Sequence, residues 1–112
     1  MTFEQMLALA NEALRDMHTA PAGLPSPQVT LLVSATGQIY TAPNDTTGAV
    51  LNELNGDTHI IKLLTLWKSG EVDVPAWHLR SALLELNPQN GETEVLLRGE
   101  DGYIVKRLHN LV

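Results

Sequence analysis

Thr58 to Trp67 reads Thr-His-Ile-Ile-Lys-Leu-Leu-Thr-Leu-Trp, a nearly continuous apolar run interrupted by the charge of Lys62. Gly56 bounds it on one side and Lys68-Ser69-Gly70 on the other. Ten residues are too few for a membrane helix, which needs about 20. The run predicts a central strand buried on both faces. Such a strand needs cover on each side, so helices should pack above and below a sheet.

The segments around it supply that cover. Thr2 to Met17 predicts an amphipathic helix, because Phe3, Met6, Leu7, Ala10, Leu14 and Met17 recur at three- and four-residue spacing. Thr2 and Gln5 fit a capping box. Ala20 to Pro27 holds three prolines and a glycine and reads as a loop. Gln28 to Ser34 and Gln38 to Ala42 read as a hairpin turning at Ala35-Thr36-Gly37. Pro43-Asn44-Asp45 ends it, and Thr46 or Thr47 is placed to cap a short helix running to Leu54. Pro75 to Leu86 predicts a further helix with Pro75 in its first turn and Asn87-Pro88 as its stop. Thr93 to Leu97 and Tyr103 to Arg107 predict a closing hairpin around Gly99-Glu100-Asp101-Gly102. Leu108 to Val112 predicts a terminal turn. Strand-helix-strand segments in the middle imply parallel, right-handed crossovers. The expected fold is α/β: a three-layer α-β-α arrangement around a mixed five-stranded sheet, with residues 1–112 forming a single domain.

Charge and composition exclude several functions. Thirteen Asp and Glu against seven Lys and Arg give a net charge of −6, which argues against nucleic acid or an anionic membrane as partner. With no cysteine, disulfides, thiolate metal sites and cysteine nucleophiles are ruled out, and a reducing, cytoplasmic setting is expected. No basic region followed by an apolar core marks a signal peptide at the N-terminus. Ser34, Ser69 and Ser81 lie in no nucleophile motif, and Gly99 to Gly102 is too short for a phosphate loop.

Val74-Pro75-Ala76-Trp77-His78-Leu79-Arg80-Ser81-Ala82-Leu83-Leu84-Glu85-Leu86 resembles the second zinc-binding helix of the cytidine deaminase family. Gln28 to Val33 with Gly37 to Tyr40 resembles that family's first hairpin, and Glu94 to Leu97 with Asp101-Gly102 its closing hairpin. Asn44 falls where the family has the Asn of Asn-x-Glu. The resemblance spans almost the whole chain and implies a cytidine deaminase-like fold. It also implies what is missing. Family members carry Pro-Cys-x-x-Cys-Arg at this helix start, and here the cysteine positions are Ala76 and Leu79. The segment that would hold the His/Cys-Ala-Glu motif is shortened between Asp45 and Gly48, and the Glu of the ribose-binding pair is replaced by Thr46. Arg80 alone matches after the second cysteine position.

No catalytic residue, cofactor or metal site is therefore expected. Asn44, Thr46, Trp77, His78 and Arg80 are the candidate ligand-binding residues. His78 is a single imidazole, whereas zinc needs about three or four ligands. Trp67 and Trp77 should share one rim of the sheet, where large aromatics can fill a pocket, cap a ligand or anchor a subunit. Glu53 and Asp57 are expected on a solvated surface, and His59 on a strand edge. Three functions remain open: an inactive deaminase-fold module for binding or assembly, a nucleoside-like small-molecule binder or enzyme with a rebuilt site, and an unrelated α/β partner-binding protein of the immunity or regulatory kind. The family is usually oligomeric, so the resemblance implies a homo-oligomer.

Overall fold

A computed structural model describes residues 1–44 and 46–111. Helix α1 spans Phe3–Arg15, and its capping box forms: Thr2 Oγ1 accepts from the Gln5 N–H at 3.1 Å, and Gln5 Oε1 accepts from the Thr2 N–H at 2.9 Å. Strands β1 (Gln28–Ser34) and β2 (Ile39–Pro43) form the first hairpin. Helix α2 (Thr47–Leu54) ends where Asn55 and Gly56 take positive φ, a turn that the glycine adopts without a Cβ clash. Strand β3 spans Ile60–Trp67, helix α3 Trp77–Leu86, strand β5 Glu94–Gly99 and strand β6 Gly102–Arg107.

Three local features differ from expectation. A two-residue strand, β4 (Val72–Asp73), pairs with the last part of β3 and raises the sheet to six strands. Two residues carry too little periodicity to be seen in a sequence. A 3-10 turn at Pro88–Glu92 follows α3, whereas the one at Leu108–Leu111 after β6 is the expected terminal turn. Helix α3 begins later than expected. Ala76 is its N-cap, with its carbonyl accepting from the Leu79 and Arg80 N–H groups, so Pro75 lies just outside the first turn.

The strand order is β2-β1-β3-β5-β6, with β4 off this path. β3 and β5 are parallel, as the crossover through α3 requires, while β1 is antiparallel to both β2 and β3. β2 and β3 therefore point the same way with β1 between them. The starts of α2 and α3, which follow β2 and the β3–β4 hairpin, consequently rise from the same rim of the sheet.

The two faces of β3 build two cores, and a register shift opposite Val33 and Ser34 interrupts the alternation between Ile60 and Lys62. Leu64 and Leu66 join Val29, Leu31, Val33 and Leu96 beneath Met6, Ala10 and Leu14 of α1. Ile60 and Leu63 join Leu32, Val95 and Leu97 beneath Val50 and Leu54 of α2 and Leu79 and Leu83 of α3. The three-layer α-β-α arrangement follows.

Asn90 fastens the lower end of β3. It is fully buried; its Oδ1 accepts from the Ile60 N–H at 2.8 Å, and its Nδ2 donates to the Thr58 and Leu83 carbonyls at 2.9 and 2.8 Å. One amide thus ties the start of β3 to the end of α3. Asn90→Ala leaves three backbone groups without this partner, and each buried unpaired group costs about 1–3 kcal/mol. Urea denaturation should show a loss of about 3 kcal/mol or more, with the dependence on urea unchanged. A loss under about 1 kcal/mol would contradict this role.

Candidate functional site

The rim from which α2 and α3 rise holds the sequence-predicted residues. Its floor is a pair of buried hydroxyls. Thr30 and Thr65 face each other across β1 and β3, with their Oγ1 atoms 2.6 Å apart. Thr30 alternates with Leu31 and lies on the same face as Leu32, the face covered by α2 and α3. Above them, Trp67 Nε1 donates to Asp73 Oδ2 at 2.9 Å, and Asp73 Oδ1 accepts from the Val74 N–H at 2.7 Å. Asp73 thereby holds the last side chain of β3 against the segment leading into α3.

The five candidate residues are for the most part engaged in local structure. Asn44 has φ of 51° and closes the sheet beyond β2: its N–H donates to the Gln28 carbonyl at 2.8 Å, and its Oδ1 accepts from the Gln28 N–H at 3.2 Å. Thr46 is exposed and donates its hydroxyl to the Pro43 carbonyl at 2.8 Å, so it does not cap α2 through its side chain. The half-buried Arg80 donates through Nη1 to the Leu111 carbonyl, pinning the C-terminal turn to α3. Asn44, Thr46 and Arg80 each commit a polar group to a backbone atom of a different segment. Trp77 and His78 are brought together: their rings meet edge to face at 6.4 Å, and Trp77 is 69% exposed. Asp45, at the start of the shortened segment that runs to Gly48, lies outside the described residues.

The positions matched to the zinc-binding cysteines do not fit a metal. Ala76 carries no donor atom, and Leu79 is 2% exposed within the aliphatic core beside Leu63, Leu83 and Val95. Among the described residues, no group of three or more His, Cys, Asp or Glu side chains could hold a metal ion. Two buried polar atoms on these helices have no hydrogen-bond partner: Thr47 Oγ1 in the first turn of α2 and Arg80 Nε in α3.

Asp57 departs from its expected solvated position. It is half-buried, and its Oδ2 accepts from Tyr40 OH at 2.7 Å and Thr36 Oγ1 at 2.9 Å. The Thr36 hydroxyl lies 2.8 Å from that of the fully buried Ser34. Hydrogen bonding from Ser34, then from Tyr40, holds the Asp57 carboxyl below the usual carboxylate range against the opposing effect of burial, and Thr36 lowers it further. Tyr40 is raised above its ordinary value, chiefly by its hydrogen bond to Asp57, then by burial and by the charges of Asp57 and Glu53. This cluster docks the α2–β3 turn on the first hairpin. Its members come from separate segments, so no local spacing could have revealed it. His59 is half-buried and lines a cleft with Glu92, Glu94 and Arg107 at the opposite rim. A larger cleft of about 490 Å³ lies between the β3–β4 and β5–β6 turns, crossed by an exposed Arg98–Glu71 ion pair at 3.1 Å.

No family model matches this sequence, and no curated protein is similar to it. Solved structures do match. Cytidine deaminase from Mycobacterium leprae superposes with a TM-score of 0.74 at 13% identity, covering 100% of this chain and 98% of that one. The Mycobacterium tuberculosis enzyme gives 0.69 at 17%, covering 99% and 94%. The Burkholderia pseudomallei enzyme gives 0.70 at 15%, covering 100% and 97%. The chain has a cytidine deaminase-like fold over its full length, and at these identities the likeness speaks for the fold alone.

Asp57 also makes stability depend on pH. Its folded-state pKa is lowered from 3.8, so its stabilising effect is present above that value and lost as pH falls through the depressed one. Asp57→Asn should therefore be less stable than the wild type at neutral pH, with the gap closing as pH drops below about 4. Equilibrium unfolding at a series of pH values reads this directly; a gap that persists unchanged to pH 2 would rule it out.

Proposed function

We propose that this chain is a deaminase fold without deaminase chemistry, acting as a binding or assembly module. Leu79 carries the reading. At the position matched to a zinc-binding cysteine stands an aliphatic side chain packed into the core between α3 and the sheet. A metal there would need donor atoms that Ala76 and Leu79 lack, in a chain with no cysteine anywhere. Asn44, the retained half of the ribose-binding pair, has its side-chain oxygen turned onto the start of β1. Arg80, the retained arginine, is drawn to the C-terminal turn. The residues that survive from the family pattern thus have structural uses that do not depend on catalysis. A cytoplasmic setting suits a cysteine-free chain.

A second reading, a nucleoside-like ligand bound at the rim, draws on Trp77. An indole that is 69% exposed at a helix start, with an imidazole against it, is a ready stacking surface. Thermal-shift screening with nucleosides and bases separates the two. Stabilisation that disappears in Trp77→Ala favours the ligand, and none across the panel favours the module.

Protein purified from zinc-supplemented culture should carry far less than one zinc per chain by elemental analysis and should not deaminate cytidine. Near-stoichiometric zinc together with cytidine turnover would overturn the reading.

A further inference from the structure

Strand β6 ends the sheet, with β5 on one side and no described strand on the other. All six of its residues are exposed, among them Tyr103, Ile104 and Val105 at 56, 42 and 47%. Its register with β5 sets their directions. Val105 lies opposite Leu96 on the α1 face, and Ile104 opposite Leu97 on the α2–α3 face. Tyr103 shares the α1 face with Val105, and α1 packs over β1 and β3, away from this edge. An outer strand with apolar side chains on both faces is a template for another strand.

The charges along β6 select which strand. Glu100-Asp101 precedes it in the tight turn, where Gly99 approaches Ile104 too closely for a Cβ, and Lys106-Arg107 closes it. The order is acidic, apolar, basic. An antiparallel strand of the same order sets acid against base at both ends. We propose that β6 pairs antiparallel with β6 of a second copy of this chain, about a two-fold axis at Ile104.

Geometry fixes the register. Residues directly opposite in an antiparallel pair point to the same face, and a two-fold axis normal to the sheet preserves faces. Ile104 opposite itself sets Tyr103 opposite Val105 and Asp101 opposite Arg107 of the second copy, twice over by symmetry. Sliding by one allowed step sets Asp101 opposite Val105, or Arg107 opposite Tyr103. Lys106 and Arg107 discourage pairing with an arbitrary strand, while the second copy offers Asp101. Arg107 contacts Glu92 at 2.8 Å, but both side chains are 62% exposed, and such a pair contributes little. Joining the two five-strand paths gives a ten-stranded sheet, within the usual range for open sheets. One strand pair buries far less than the roughly 1,600 Å² of a standard interface, so association is weak and depends on concentration. The inference rests on the assembly reading above, and its failure would leave the absence of deamination untouched.

Sedimentation velocity on the full chain from about 10 μM to 1 mM tests it, a range suited to weak association. The wild type should shift from monomer to dimer across the series. D101R and R107D should each move the midpoint up by about tenfold or more, because like charges then meet at both ends of the pair. Mixing D101R with R107D in equal amounts should restore dimer, since each arginine then faces an aspartate. Should either variant fail to fold, Ile104→Lys, which sets two like charges face to face at the axis, is read in the same way. A wild type that stays monomeric at 1 mM overturns the proposal. So does a dimer indifferent to these substitutions, which would use another surface, and so does a mixture no better than its components.

Discussion

Strand β3 has to lose water on both faces, and the rest of the molecule is arranged to let it do so. Leu64 and Leu66 need α1 above them, and Ile60 and Leu63 need α2 and α3 below. Its backbone needs partners as well. β1 supplies them along one edge, while the other edge is shared between β5 at the start of β3 and β4 at its end. Asn90 completes the lower end, where the chain enters β3 before its ladder with β5 begins at Lys62, and Thr93 Oγ1 donates to the Ile60 carbonyl beside it. The scaffold is thus a strand buried on both faces, with each neighbour serving one of its faces or edges.

That constraint is why so much of the fold was legible. Continuous apolar runs, three- and four-residue spacing and Pro/Gly punctuation identify the long elements, because burial on one face or two leaves a periodic record. The elements that were missed leave none. β4 is two residues long, and the 3-10 turn after α3 is built around one buried amide whose partners lie up to 32 residues away. Pro75 sits two places before α3 because the Ala76 carbonyl begins the helix ladder, a shift that propensity alone does not resolve. The Asp57 cluster was hidden for a similar reason. Its hydroxyl partners lie 17 to 23 positions back along the chain, and only the tertiary fold brings them together.

The candidate site was legible in a different sense. The residues that resemble a deaminase motif lie on the expected rim, but their polar atoms serve backbone groups nearby: Asn44 at β1, Thr46 at the end of β2, Arg80 at the C-terminal turn. A sequence shows which side chains are present and not where their hydrogen bonds go. Trp77 is the residue whose exposure singles it out on this rim, and it stands at the start of α3 next to Ala76.

Core packing occupies the Leu79 position, where the sequence resemblance implies a metal ligand. Leu79→Ala tests it most directly by equilibrium denaturation. If Leu79 fills that space, as its 2% exposure indicates, the variant should lose about 2–5 kcal/mol, the range for removing a buried leucine side chain. A loss below about 1 kcal/mol would mean that Leu79 borders open space and the pocket is not filled, contradicting the account.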